Sequence, residues 1–393
     1  MQATTFETWF SNWPDRVSDL TLGKTPAEAF MAATGIQLID ILRLGDIVRQ
    51  KSFAGDIAFD TDQLVAAGAS EQAVKFVTAR MAMKPSAYRD NLALDRGRGD
   101  VQHQRYTMTQ FPFLEIGDNK LLLLRHQWGI DRFIGNQLYW ETYASFGTSH
   151  TKKVAGYFSQ AMDYMFEDLV GRTLDRILSR SSNAEELVTE SQMQSAWEKS
   201  GEKPSVCDWA ILEEGRCVVI DATNHPLNFK LAQGLGDAAS YSSDIDKIFT
   251  NKKFDQLVST MDHLSNPGWQ GRSHGGGLFI PLVVVPDSSV PNTRTTELDF
   301  QLRAKPKFAR FEPRVCPPGI ISYSDLRLLE GICEHSPLPF CTVLSRWRRF
   351  AVANLETLQR FIDVNFPARQ LPRHILKSSR EFEKLIRPCS SSG

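Results

Sequence analysis

The sequence predicts a protein of mixed α/β (α+β) class. A small mixed sheet is flanked by helices, and the N- and C-terminal regions are helical. Three observations lead to this prediction. A broad apolar stripe runs along a long helix from Gly156 to about Ser179. Two short strands follow at 205–212 and 217–223, separated by the turn residues of 213–216. A further strand at 278–285 is β-branched and apolar on both faces, which is typical of a buried strand.

Local signals divide the chain into four regions. Residues 1–100 are predicted to be mainly helical, because Thr25 and Ser70 stand where helix caps are expected. Residues 104–150 are predicted to hold a hairpin, at 111–124, and an aromatic helix. The core domain is expected at 151–290, and a basic helical region at 297–388.

Composition places the chain among soluble proteins of the cytoplasm. Its 393 residues are 42% hydrophobic and 23% charged, with a net charge of -1. The six cysteines form no C-x-x-C pair, which argues against a zinc site and favours reduced thiols. The N-terminus lacks the features of a signal peptide, and the longest apolar run is too short to span a bilayer, so we expect no membrane partner.

Positive charge is concentrated at the C-terminal end of the chain. From residue 301 onward, sixteen Lys and Arg residues stand against eight Asp and Glu residues. Arg346, Arg348 and Arg349 lie next to Trp347, and such a cluster can bind phosphate and stack a base. The alternative is a solvated helical surface.

Three acidic residues stand at positions that suggest chemistry. Glu167 lies within the long amphipathic helix, Asp208 interrupts the first short strand, and Asp221 closes the second. A carboxylate in an apolar strand is costly to bury unless a cation or hydrogen bonds compensate it. Two neighbouring antiparallel strands can bring Asp208 and Asp221 together, and a divalent cation would relieve their repulsion. Mg²⁺ suits such a site, because it binds few carboxylates together with waters and phosphate oxygens.

This order of residues, over about 157–286, resembles the PD-(D/E)xK nuclease superfamily. By position, Asp208 matches the first acid of the motif, Asp221 the second, Glu167 the helix acid, and the backbone carbonyl of Ala222 a further metal ligand. The resemblance implies a restriction-endonuclease-like mixed sheet flanked by helices. It also implies Mg²⁺- or Mn²⁺-dependent hydrolysis of DNA phosphodiesters, in a setting such as bacterial host defence.

The sequence departs from the family at two positions. Thr223 stands where the motif has lysine, and Cys207 stands where the family has proline. Threonine cannot supply the cation that helps to activate the attacking water. Some members of the superfamily carry the lysine on a neighbouring element, and the candidates here are Lys230, Lys252 and Lys253. Lys253 is preferred, because the helix after the second strand often faces the site.

Three functions remain open on the sequence alone. The first is a Mg²⁺-dependent nuclease, in which Asp208 and Asp221 hold the metal, Glu167 assists, and Lys253 or Lys230 replaces the missing lysine. The second is a catalytically degenerate module that binds DNA or a protein partner, and the absence of lysine at 223 supports it. The third is a scaffold with no site, in which Asp208 and Asp221 point apart. A homodimer is compatible with the first two.

Overall fold

The structure is a computed structural model, and it describes residues 1–97, 106–149, 151–180, 184–224, 231, 237–287, 290 and 293–387. The described residues form two compact units. Unit 1 takes its residues from Met1–Met165, Phe229–Asp237 and His374–Gly393, and unit 2 from Phe166–Asn228 and Ala238–Arg373. Within the described part of the chain, no helix has both the length and the apolar character that crossing a membrane requires.

The helices and strands are numbered in chain order. The first half of the chain contains α1 (Gln2–Trp9), α2 (Pro26–Thr34), α3 (Leu38–Phe53), β1 (Ala58–Asp60), α4 (Thr61–Ala66), α5 (Glu71–Met81), β2 (Ala82–Met83), α6 (Pro85–Gly97), α7 (Tyr106–Gln110), β3 (Phe113–Gly117), β4 (Lys120–Leu123), α8 (His126–Ile134), α9 (Gln137–Ser149) and α10 (Lys152–Leu178).

The second half contains β5 (Ala184–Thr189), α11 (Glu190–Trp197), β6 (Trp209–Glu213), β7 (Arg216–Ala222), α12 (Ala238–Ile245), a π-helix (Asp246–Lys253), α13 (Phe254–Ser265), β8 (Leu278–Val285), α14 (Arg294–Phe308), β9 (Gly319–Ser322), α15 (Tyr323–His335), α16 (Phe340–Asn354), α17 (Leu358–Asn365) and α18 (Arg373–Ile386). Short 3₁₀ turns occur at Leu20–Leu22 and Ala309–Phe311.

Unit 1 combines helices with a four-stranded sheet in the order β1-β4-β3-β2. The predicted caps are confirmed: the Thr25 hydroxyl accepts from the Glu28 N–H at 3.2 Å, and the Ser70 hydroxyl accepts from the Ala73 N–H at 3.2 Å. The predicted hairpin is also confirmed, as β3 and β4 pair antiparallel around a turn in which Asn119 has φ 57°. Asparagine tolerates this left-handed conformation better than most residues.

The prediction for residues 1–100 missed two strands and the extent of one helix. β1 pairs antiparallel with β4, and β2 pairs parallel with β3, so this region adds both edges to the sheet of the hairpin. With three and two residues, these strands are too short to show an alternating pattern. α6 also continues through polar residues as far as Gly97.

Unit 2 contains a five-stranded mixed sheet in the order β5-β6-β7-β8-β9. The pairs β5–β6 and β6–β7 are antiparallel, whereas β7–β8 and β8–β9 are parallel. The predicted turn between the two short strands is confirmed, with Gly215 at φ 71°. The mixed α/β class is therefore confirmed, and the restriction-endonuclease-like arrangement of its elements stays a prediction.

The predicted buried strand is β8, and it lies inside the sheet between β7 and β9. The proline at position 281 is compatible with this place. Phe279 exchanges hydrogen bonds with Arg314 and Cys316 on the β9 side, and Pro281, two residues later, faces the same side. Since β9 begins to pair only at Leu282, the missing N–H falls just before that ladder starts.

The sheet continues past residue 290, where the core domain was expected to end. β9 lies beyond that position and pairs with β8 from Leu282 to Val285. The helices α14, α15 and α16 also belong to unit 2, and α14 packs against α13. Much of the basic C-terminal region is thus part of the same compact unit as Asp208 and Asp221.

Candidate metal and catalytic site

Strands β6 and β7 bring the two predicted carboxylates together. Their antiparallel register pairs Trp209 with Ile220, so the next step along the ladder places Asp208 opposite Asp221. Asp208 stands one residue before β6 begins, and its Oδ2 accepts a hydrogen bond of 2.7 Å from the Ala222 N–H. The two acids therefore meet at one end of a strand pair, as the sequence predicts.

Asp221 is completely buried, and its two oxygens have different environments. Oδ1 accepts a hydrogen bond from the Lys253 ammonium group, whereas Oδ2 has no hydrogen-bond partner among the described residues. Burial raises the pKa of Asp221 well above its ordinary value, and repulsion from Asp208 adds to this, while Lys253 acts in the opposite direction. The charged form of this carboxyl group is thus costly in the interior unless a cation compensates it.

Lys253 supplies the ammonium group that Thr223 cannot. It is the last residue of the π-helix, and its side chain is 8% exposed. Burial alone would lower the pKa of Lys253, but the negative charges of Asp221, Asp208 and Glu167 outweigh it, and the pKa is raised. Lys253 is therefore held in its charged form beside the two carboxylates. π-Helical segments are rare, and they are often found at functional sites.

The other predicted site residues are Glu167, Thr223, Lys252 and Lys230. Glu167 lies on α10, is half-buried, and is close enough to Lys253 to act on its charge. Thr223 donates its backbone N–H to the Val284 carbonyl oxygen at 3.0 Å, so it continues the contact between β7 and β8. Lys252 is exposed, and Lys230 lies outside the described residues.

Two polar residues of α13, which the sequence analysis did not single out, support the segment that leads into Asp208. The Gln256 amide nitrogen donates to the Val206 carbonyl oxygen at 3.1 Å, and the Thr260 hydroxyl accepts from the Cys207 N–H at 2.8 Å. Both lie on the same helical face as Lys253, three and seven residues after it. Polar residues at that spacing on an otherwise apolar helix face were the signal available in the sequence.

The arginine cluster of α16 is corrected by the structure. Arg348 is completely buried, and it donates to the Pro317 and Pro318 carbonyl oxygens and to Glu297 at 2.7 Å. Trp347 is buried as well, so neither side chain can reach a nucleic acid. Arg346 and Arg349 are exposed, because alternate faces of the helix point inward and outward. The sequence could not show that Arg348 has a carboxylate partner 51 residues away.

The donor set fits a divalent cation of the magnesium type. Asp221 Oδ2 is a buried oxygen without a partner in the part of the chain that the structure describes, and the Asp208 carboxylate and the Ala222 backbone carbonyl lie beside it in sequence and register. Among the described residues, no group of three or more His, Cys, Asp and Glu side chains could hold a metal ion. A site with two carboxylates would leave the other positions to water and substrate phosphate, as Mg²⁺ commonly requires.

Comparisons with known proteins give no independent support for a family. No family model, no curated protein and no solved structure matches this chain.

Proposed function

We propose that the protein is a metal-dependent hydrolase of nucleic-acid phosphodiester bonds, with DNA as its favoured substrate. One observation carries the proposal. In the buried Asp221, one oxygen accepts a hydrogen bond from the buried Lys253, and the other has no partner among the residues that the structure describes and lies next to a second aspartate. Such a group of charges suits a reaction in which a cation and an ammonium group act on the same phosphate.

Each residue then has a defined part in the reaction. Asp208, Asp221 and the Ala222 carbonyl would hold Mg²⁺ or Mn²⁺, which when bound polarises a phosphoryl oxygen and lowers the pKa of a bound water. Lys253 orients the attacking water and offsets the negative charge that develops on the phosphate. Glu167 acts on Lys253 through its charge and helps to keep the ammonium group protonated. The arrangement corresponds to the motif of the PD-(D/E)xK nucleases with the lysine moved from residue 223 to the following helix.

A second function is favoured by the hydrogen bonds already present. Lys253 neutralises Asp221, and Asp208 accepts from the Ala222 N–H, so the site is partly satisfied by the protein alone. In a catalytically degenerate module, these contacts would stabilise the fold, and the surface would bind DNA or a protein partner. This reading requires that the purified protein cleaves no nucleic acid with any divalent cation.

The proposal is tested by cleavage of plasmid and linear DNA with Mg²⁺, with Mn²⁺ and with a chelator. We expect cleavage only with metal, complete loss in Asp208→Asn and Asp221→Asn, and a loss of about 100-fold or more in Lys253→Met. Lys252→Met and Asp255→Asn are matched controls, because both residues are exposed and lie on the same helical segment. Their activity should equal that of the wild type.

Two results would contradict the hydrolase. Equal cleavage by wild type and Asp208→Asn would indicate a contaminating nuclease. A loss of activity in Lys252→Met as large as that in Lys253→Met would show that the buried ammonium group has no special part. Unfolding curves of each variant separate lost chemistry from lost structure.

A further inference from the structure

Helix α18 presents two unlike faces. Three of its apolar residues, Ile375, Phe382 and Ile386, are buried, whereas Leu376 is exposed. The helix is also fixed within unit 1 by polar contacts, because the Ser378 hydroxyl donates to Glu7 at 2.6 Å and the Arg387 guanidinium donates to both oxygens of Asp46. The face that carries Ile375, Phe382 and Ile386 is therefore used in packing.

The opposite face carries an exposed basic stripe, which consists of Lys377, Arg380 and Lys384. At 100° per residue, the three side chains fall within about 60° of one another and span about 10 Å along the helix axis. Lys384 pairs with Glu381 at 2.9 Å, and both side chains are exposed. An exposed pair of this kind stabilises a fold only slightly, so an incoming anion can replace Glu381.

The burial of the apolar face decides which kind of partner this helix fits. Basic amphipathic helices that bind membranes or peptide-binding grooves do so through their apolar face. In α18 that face is covered by unit 1, and only the charged face can meet a partner. A polyanion that is read through its charges alone meets this condition, and the phosphate backbone of a nucleic acid is such a partner.

We propose that the basic stripe of α18 binds the phosphate backbone of duplex DNA without regard to sequence. This inference rests on the proposed function, in which nucleic acid is the substrate. It also assigns to α18 the backbone contact that the buried Arg348 cannot make. The stripe lies on a chain whose net charge is only -1, so its positive charge is a local feature and not a property of the whole protein.

The test measures binding to short duplex DNA in the presence of a chelator, so that no cleavage occurs. Each phosphate neutralised contributes about 0.9 to the slope of log affinity against log salt concentration. The variant with Lys377, Arg380 and Lys384 all changed to Gln should therefore lose up to about 3 from that slope between roughly 50 and 200 mM salt. The control variant changes Lys75, Lys84 and Arg89 to Gln, with the same loss of charge at other exposed sites of unit 1. Its slope should equal that of the wild type, and Arg380→Lys should also bind as the wild type does.

Several results would overturn the inference. The triple variant and the control variant could have equal slopes, or the wild type could fail to bind duplex DNA at the lowest salt concentration. Binding of the wild type to phosphatidylserine vesicles but not to DNA would assign the stripe to a membrane surface. Circular dichroism checks that α18 stays folded. The cleavage test is separate, because Asp208→Asn leaves the stripe unchanged: it can remove cleavage while the salt slope stays that of the wild type.

Discussion

At the scale of single residues, the site depends on charges that are largely removed from water. Breaking a buried ion pair by removing one partner typically costs about 3–5 kcal/mol, because the other charge is left uncompensated. Lys253 and Asp221 form such a pair. The sequence could suggest Lys253, since it follows the second strand on a helix that faces the sheet. It could not show that Asp221 Oδ2 lacks a partner among the described residues, because this depends on side-chain positions that only the fold determines.

Asp46 gives a prediction for the dependence of stability on pH. Burial pushes the pKa of Asp46 upward, but hydrogen bonds from Arg387, Arg49 and Gln50 outweigh it, and the pKa is lower than in the unfolded chain. The stabilisation is therefore present above the ordinary aspartate pKa of about 3.9 and is lost as the pH falls through the lower folded value. We expect Asp46→Asn to lower the free energy of unfolding by about 1–2 kcal/mol at neutral pH.

Urea denaturation at pH 7 and near pH 3 checks this expectation. The difference between wild type and Asp46→Asn should shrink at the acidic pH, where the carboxyl is protonated in the unfolded chain and part of the stabilisation is lost. A difference of equal size at both values would mean that the ionised form of Asp46 contributes nothing.

At the scale of helices and strands, Gly45 allows α3 and α8 to approach closely. A Cβ atom at this position would lie 2.5 Å from the Cβ atom of Phe133, which is completely buried on α8. We expect Gly45→Ala to lower the free energy of unfolding by about 1–3 kcal/mol, because one of the helices must shift. Thermal and urea denaturation measure this loss.

A second helical glycine provides the control for this prediction. Gly156 lies in α10, and a Cβ atom there would meet nothing within 4 Å. Gly156→Ala should therefore stabilise the protein by about 0.5–1 kcal/mol, since alanine favours the helix. If Gly45→Ala also stabilises the protein, helix propensity and not close packing governs Gly45.

The sequence identified elements with strong local signals and missed those that depend on distant partners. The β6–β7 hairpin was predictable because Gly215 and two acidic residues mark its turn, and β8 because it is an unbroken apolar run. β5 and β9 were not predicted. β5 has few apolar residues, and β9 has only four residues, so both owe their strand conformation to the neighbour with which they pair.

At the scale of the whole molecule, unit 2 needs residues from beyond the boundary predicted at 290. Without β9, the apolar strand β8 would become an exposed edge, and such an edge favours aggregation. We expect the fragment 151–290 to aggregate or to unfold without a cooperative transition, whereas 151–373 should unfold cooperatively. Urea denaturation followed by circular dichroism distinguishes them. Equal midpoints for the two fragments would show that β9 and its helices add nothing to the stability of the sheet.

The contacts of α18 also determine when unit 1 can be completed during synthesis. Asp46 and Arg387 are separated by 341 residues, and Glu7 and Ser378 by 371. At about 5–20 residues per second, a ribosome needs roughly 20–70 s to travel from the codon for Asp46 to the codon for Arg387. Throughout that interval the nascent chain exposes the surface that Ile375, Phe382 and Ile386 will later cover. Helix α18 therefore completes a part of unit 1 that is translated long before it.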